Sequence, residues 1–96
     1  MNIVDFNIFE QEARAAGYDE ALQRQWAPDT VVGLHSHAFD AHVVLIHGEM
    51  WLTCEGATRH FLPGGSFRLG RDAQHSEQYG SAGATVWVAR RTALRG

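Results

Sequence analysis

From Pro28 onward the chain is cut into short pieces by turn residues, and this rhythm constrains its fold more than any other feature. Glu55-Gly56, Pro63-Gly64-Gly65, Gly70-Arg71-Asp72 and Gly80-Ser81-Ala82-Gly83 separate runs rich in β-branched, aliphatic and aromatic residues. The runs cover 31–37, 42–54, 59–62, 66–69, 74–79 and 84–90. Strands this short, each closed by a turn signal, predict an all-β sandwich or small barrel. Gly48 falls inside the longest run, where a glycine predicts a bulge or bend. The first third is less regular. Residues 1–9 read as an extended arm or first strand, and residues 10–16 as a short helix that stops at Gly17. Over 18–26, Tyr18, Leu22 and Trp26 fit either a helical stripe or one face of a strand.

At 96 residues and 10.7 kDa the chain has room for one domain. The expected organisation is a single domain over 1–96, with a barrel core at about 20–91 and an N-terminal arm over 1–19. No apolar run is long enough to span a membrane. Met1-Asn2-Ile3-Val4-Asp5 is not the start of a secretory signal. The lone Cys54 pairs with nothing inside the chain, so the expected location is cytoplasmic. All eight basic residues are Arg, and eleven acids leave the net charge at −3. Clusters at Arg68 and Arg71, and at Arg90, Arg91 and Arg95, do not amount to the basic surplus a nucleic-acid partner requires. The expected partner is a small-molecule ligand or substrate, with neither nucleic acid nor membrane.

Histidine is over-represented, with six in the chain. In a strand, His35 and His37 of His35-Ser36-His37 point to the same side, about 6.5–7 Å apart, so two imidazoles can converge on one metal ion. A solvated surface strand is the alternative reading of a lone pair of this kind. His42 and His75 lie at later strand edges. His47 and His60 read as structural or surface residues. Cys54 reads as a small buried hydrophobe facing the same way as Met50 and Leu52. Met50, Trp51 and Phe67 either line a pocket or pack a core. Glu77 and Tyr79, just after His75, are candidates for proton transfer or substrate orientation. Arg68 reads as solvated.

These residues resemble the two short motifs of a small single-domain cupin. In the first motif, G-x5-H-x-H-x3or4-E-x6-G, His35 and His37 supply the pair and Gly48 the closing glycine, while Gly33 stands close before the pair. In the second, G-x5-P-x-G-x2-H-x3-N, the spacing is kept by Gly64, Gly70, Asp72, His75 and Tyr79. The segments HSHAFDA, PGG-SFRL and HSEQYG are similar to those of small bacterial cupins, and the resemblance covers residues 20–91. It implies a conserved β-barrel, the jelly-roll or double-stranded β-helix, with a short N-terminal helical or extended arm. It also implies a divalent transition metal (Fe, Ni, Zn or Mn) held by His35, His37 and His75.

The Glu that usually completes this ligand set is missing. In the ungapped register its place falls on Ala41, which leaves a three-histidine site. A bulge at Phe39-Asp40 would instead turn His42 inward as a fourth ligand, and a loop folding back would bring Asp40. Open positions suit a catalytic metal. The function implied is a metal enzyme acting on a small polar substrate, by oxygen-dependent cleavage or by isomerisation and elimination. The alternative is a non-catalytic cupin that senses a metal or metabolite. Met50, Phe67 and Tyr79 are candidates for substrate contact. The resemblance further implies a homodimer, since exposed edge strands gain burial by pairing.

Overall fold

The computed structural model describes residues 5–92, which form one helix and six strands. In chain order these are α1 (Phe6–Ala15), β1 (Glu20–Trp26), β2 (Val31–His35), β3 (Asp40–Cys54), β4 (Ala57–Phe61), β5 (Ser66–Leu69) and β6 (His75–Arg91). Every strand pairing is antiparallel. The expected arm residues 1–4 and the tail Arg95 lie outside the described residues. Among the described residues, no helix is long and apolar enough to cross a membrane.

The two long strands organise everything else. β3 and β6 run side by side from Asp40 opposite Arg91 to Cys54 opposite His75. The outer edge of β6 carries β2 along its first half and β1 along its second. The outer edge of β3 carries β5 along its first half and β4 along its second. Two half-sheets result, β1-β6-β3-β5 and β2-β6-β3-β4, joined through the shared long strands. Residues of both halves line one cavity, so the sheet is folded over on itself.

The fold-over is written in a change of side-chain parity. Ala41, Val43 and Leu45 of β3 face the core, but further along Met50 and Leu52 do. Side chains alternate along a strand, so an odd-to-even switch needs a bulge. Register shifts at Leu45/His47 and Gly48/Met50 supply it. β6 switches likewise, from Tyr79 to Ala84, Val86 and Val88. The turn expected at 80–83 is therefore a bend inside one continuous strand. Gly48, at φ 88°, is required here: a Cβ would run into the carbonyl oxygen of Gly83 on the neighbouring strand.

The outer face of the first half-sheet is also buried. Phe9 and Ala13 of α1 pack on Val44, Trp87 and Ala89, with Phe6, Tyr18, Ala21 and Ile46 around them. The extended arm expected over 1–9 is instead helical from Phe6. Asp5 caps it by accepting from the backbone N–H of Asn7 (2.7 Å). Phe6, Phe9 and Ala13 lie on one stripe, which the sheet buries. At the other end, Gly17 (φ 97°) donates to the Arg14 carbonyl and Tyr18 to the Ala13 carbonyl, which stops the helix where the sequence indicated. The ambiguous segment after it is strand β1, with Leu22 and Trp26 against the inner core.

Candidate metal centre

His35 is the last residue of β2 and pairs across the sheet with His75, the first residue of β6. His37 lies two residues beyond β2. Its carbonyl accepts from the backbone N–H of Asp72 (2.8 Å), which ties this loop to the turn before His75. Asp72 has φ 65° at the motif position normally held by glycine, and Asp is among the few side chains that tolerate that conformation. The turn geometry thus survives the change of residue. Chain segments about forty residues apart bring three imidazoles together, and their ligand atoms all lie within 4.8 Å of one another.

Two of the three rings have their tautomer set by the backbone. His75 Nδ1 is 2.9 Å from the Ala73 carbonyl, and His35 Nδ1 is 2.7 Å from the Gly33 carbonyl. A carbonyl only accepts, so each Nδ1 carries a hydrogen, and in the neutral ring each Nε2 keeps its lone pair. His75 is 1% exposed, and its Nε2 is buried without a hydrogen-bond partner. An orphaned buried lone pair is costly, and a metal ion is one partner that satisfies it. His37 stacks on Phe39 with centroids 4.7 Å apart. Burial first, then the neighbouring His35 and His75, pull its pKa below the ordinary value, which favours the neutral, ligating form. The donor set therefore fits a divalent transition metal.

None of the three positions considered for a fourth ligand joins the triad. β3 pairs in unbroken register from Asp40 to Leu45, without the bulge that would turn His42 inward. Ala41 faces the core. His42 faces the helix, its ring 6.2 Å from Phe9 and 6.3 Å from Tyr18. Asp40 is held by Arg91 (2.8 and 3.1 Å) and by the backbone N–H of Arg71 (2.8 Å), and the Arg91 hydrogen bonds lower its pKa.

A carboxylate does approach the triad, from β6. Glu77 Oε1 is 3.4 Å from His75 Nε2, and Glu77 Oε2 accepts from the Tyr79 hydroxyl at 2.7 Å. His75, Glu77 and Tyr79 alternate along one strand, so all three face inward. Burial, and next the Glu77 charge, push the Tyr79 hydroxyl pKa upward, so it stays a proton donor. Beside these groups lies a cavity of about 90 Å³, and Phe67 and Tyr79 are among its lining residues. Met50 is instead buried in the core and is not among the lining residues. Cys54 packs against the same core. Trp51 stacks on His60 outside the cavity, and His60 pairs with Glu49 at 2.7 Å. His47 and Arg68 are exposed. Sequence reasoning missed Arg24, Trp26, Phe39 and Arg90 in the cavity wall. For Arg90 a signal existed, because its parity matches Val86 and Val88.

No protein-family model and no curated protein sequence matches this chain. Solved structures do. KdgF from a Halomonas species superposes with a TM-score of 0.69 at 19% identity, over 77% of this chain and 68% of that one. An RmlC-like cupin from Shewanella frigidimarina gives 0.64 at 16% identity, over 73% and 63%. The chain has the cupin fold. The DMSP lyase DddQ from Ruegeria pomeroyi shares it, with a TM-score of 0.70 and 18% identity over 79% of this chain. This chain spans only 39% of that lyase and 63% of the Shewanella protein.

Proposed function

We propose that this cupin is a divalent-metal enzyme that acts on a small polar molecule inside its barrel. The observation that carries this reading is the convergence of His35, His37 and His75, with the His75 Nε2 buried and without a hydrogen bond. These three side chains would hold the metal, which when bound polarises a substrate oxygen or, for iron, activates dioxygen. That fold neighbours include a lyase is consistent with catalysis.

Of the two reaction classes, Glu77 and Tyr79 favour proton transfer, that is, isomerisation or elimination. On this reading Glu77 takes a proton from the substrate, while the Tyr79 hydroxyl, 2.7 Å from the other carboxylate oxygen, holds that oxygen in position. In an isomerisation the proton returns to another substrate atom; in an elimination it leaves with the departing group. The apolar side chains of the cavity floor offer water no hydrogen bonds beside this exchange.

The deciding experiment is metal content by mass spectrometry on untagged protein, beside a His35→Ala/His37→Ala variant. Near-stoichiometric metal, lost in the variant, is the expected result. No metal in either protein after reconstitution overturns the reading. We further propose a homodimer in which the exposed Val31 and Leu34, at 71% and 70% exposure, are covered by a second copy.

A further inference from the structure

Two arginines stand in the wall of the cavity, and neither is used by the chemistry above. Strand alternation places both. Leu22, Arg24 and Trp26 share the inner face of β1, and Ala84, Val86, Val88 and Arg90 share the inner face of β6. Each guanidinium rests on an aromatic ring that itself stacks on a residue of the site. The Arg90 guanidinium lies 4.8 Å from the Phe39 centroid, and Phe39 stacks on His37. The Arg24 guanidinium lies 4.6 Å from the Trp26 centroid, and Trp26 stacks on Tyr79 at 4.8 Å.

Neither arginine is neutralised by the protein at hydrogen-bonding distance. The nearest acid to Arg90 is Glu20 at 3.9 Å, and the Arg90 Nε is buried without a partner. Arg24 makes no ion pair with any described residue. The one carboxylate in the cavity wall, Glu77, already receives the Tyr79 hydroxyl. Two guanidiniums against one carboxylate leave the cavity positive before any metal is counted. A buried guanidinium N–H without an acceptor is costly, and an incoming anion relieves that cost. Away from these groups, the three histidines and Tyr79, the wall is an apolar floor of Ala41, Val43, Phe67, Leu69, Val86 and Val88. That floor suits a short carbon body rather than an inorganic ion. The volume of about 90 Å³ limits the body to a few heavy atoms, since one water needs about 10–15 Å³.

We propose that the ligand is a small organic carboxylate whose anionic group is received by Arg90, while the more exposed Arg24 draws anions to the mouth. This rests on the reading of the barrel as a ligand-binding metal site. The two arginines then have different signatures. A rim charge acts on the association rate and its salt dependence, whereas a desolvated partner acts on dissociation.

The test uses butyrate, its neutral isostere butyramide, and inorganic phosphate, titrated by calorimetry into metal-loaded and metal-free protein. Butyrate is expected to bind at least about tenfold more tightly than butyramide and more tightly than phosphate. Arg90→Met should remove that preference. Arg24→Met should slow association and flatten its salt dependence. Arg90→Lys keeps the charge but loses the planar fork, and serves if Arg90→Met melts before the titration temperature. Equal binding of butyrate and butyramide, tighter phosphate binding, no butyrate binding at tens of millimolar, or Arg90 variants with unchanged affinity would each overturn the proposal. The metal titration is read separately. Butyrate binding by protein that takes up no metal would overturn only the metal reading, and metal binding without butyrate binding would overturn only this inference.

Discussion

His42 is a titratable ring shut between the helix and the sheet. Its Nδ1 is buried without a partner, and burial first, then the Arg68 charge, hold its pKa below the ordinary 6.5. Protonation therefore costs more in the folded chain than in the unfolded one. Stability is complete above pH 6.5 and is lost as the pH falls through 6.5 toward the lower folded value. The loss is at most on the order of 1 kcal/mol, because the ring is half-buried and solvent screens part of the charge. Thermal melts of the wild type and His42→Phe at neutral and mildly acid pH should show the wild type losing more; parallel losses would refute this role. Glu77 makes a different prediction. It lies outside the group of converging ligand atoms, so Glu77→Gln should keep its metal. Once a substrate is in hand, turnover should fall on the order of 100-fold or more, as for the loss of a general base. Loss of metal in this variant would instead make Glu77 a ligand.

Among the elements, β3 and β6 carry the architecture, and they depend on the crossing at Gly48 and Gly83. Gly48→Ala adds a Cβ where the Gly83 carbonyl already sits, at a φ of 88° that L side chains resist. The expected cost is about 2–4 kcal/mol, read from urea denaturation. A change below about 0.5 kcal/mol would mean that the crossing relaxes. The same crossing explains why 80–83 resembles a turn in the sequence. Small residues let one strand bend across another as readily as they let a chain reverse, and only the partner strand distinguishes the two. The helix start was hidden for a related reason. Asp5 and the stripe of Phe6, Phe9 and Ala13 are helix signals, but a stripe this short forms a stable helix only against an apolar surface. That surface is the outer face of β3 and β6.

For the whole molecule, the most exposed large apolar side chains among the described residues are Val31 and Leu34, both on β2. Light scattering at micromolar concentration should give twice the chain mass, and Val31→Asp should shift it toward the monomer. A monomeric mass for the wild type would end the homodimer proposal.

The strand rhythm, the helix stop at Gly17 and the inward histidine pair follow from local rules of turn chemistry and period-two alternation, so they were legible in the sequence alone. So was the cupin resemblance, because motif spacing survives when residue types change: Asp72 keeps the left-handed turn that glycine usually provides. The fourth-ligand question was not legible. Ala41 and His42 are neighbours on one strand, and which of them faces inward depends on whether a bulge precedes them. That is settled by pairing with β5 and β6, which begin well over twenty residues later in the chain. The same holds for Glu77 beside the triad and for the arginines of the cavity wall. Local sequence sets which residues share a face of a strand, but which faces meet across a barrel is decided only by the long-range pairing that folds the sheet over.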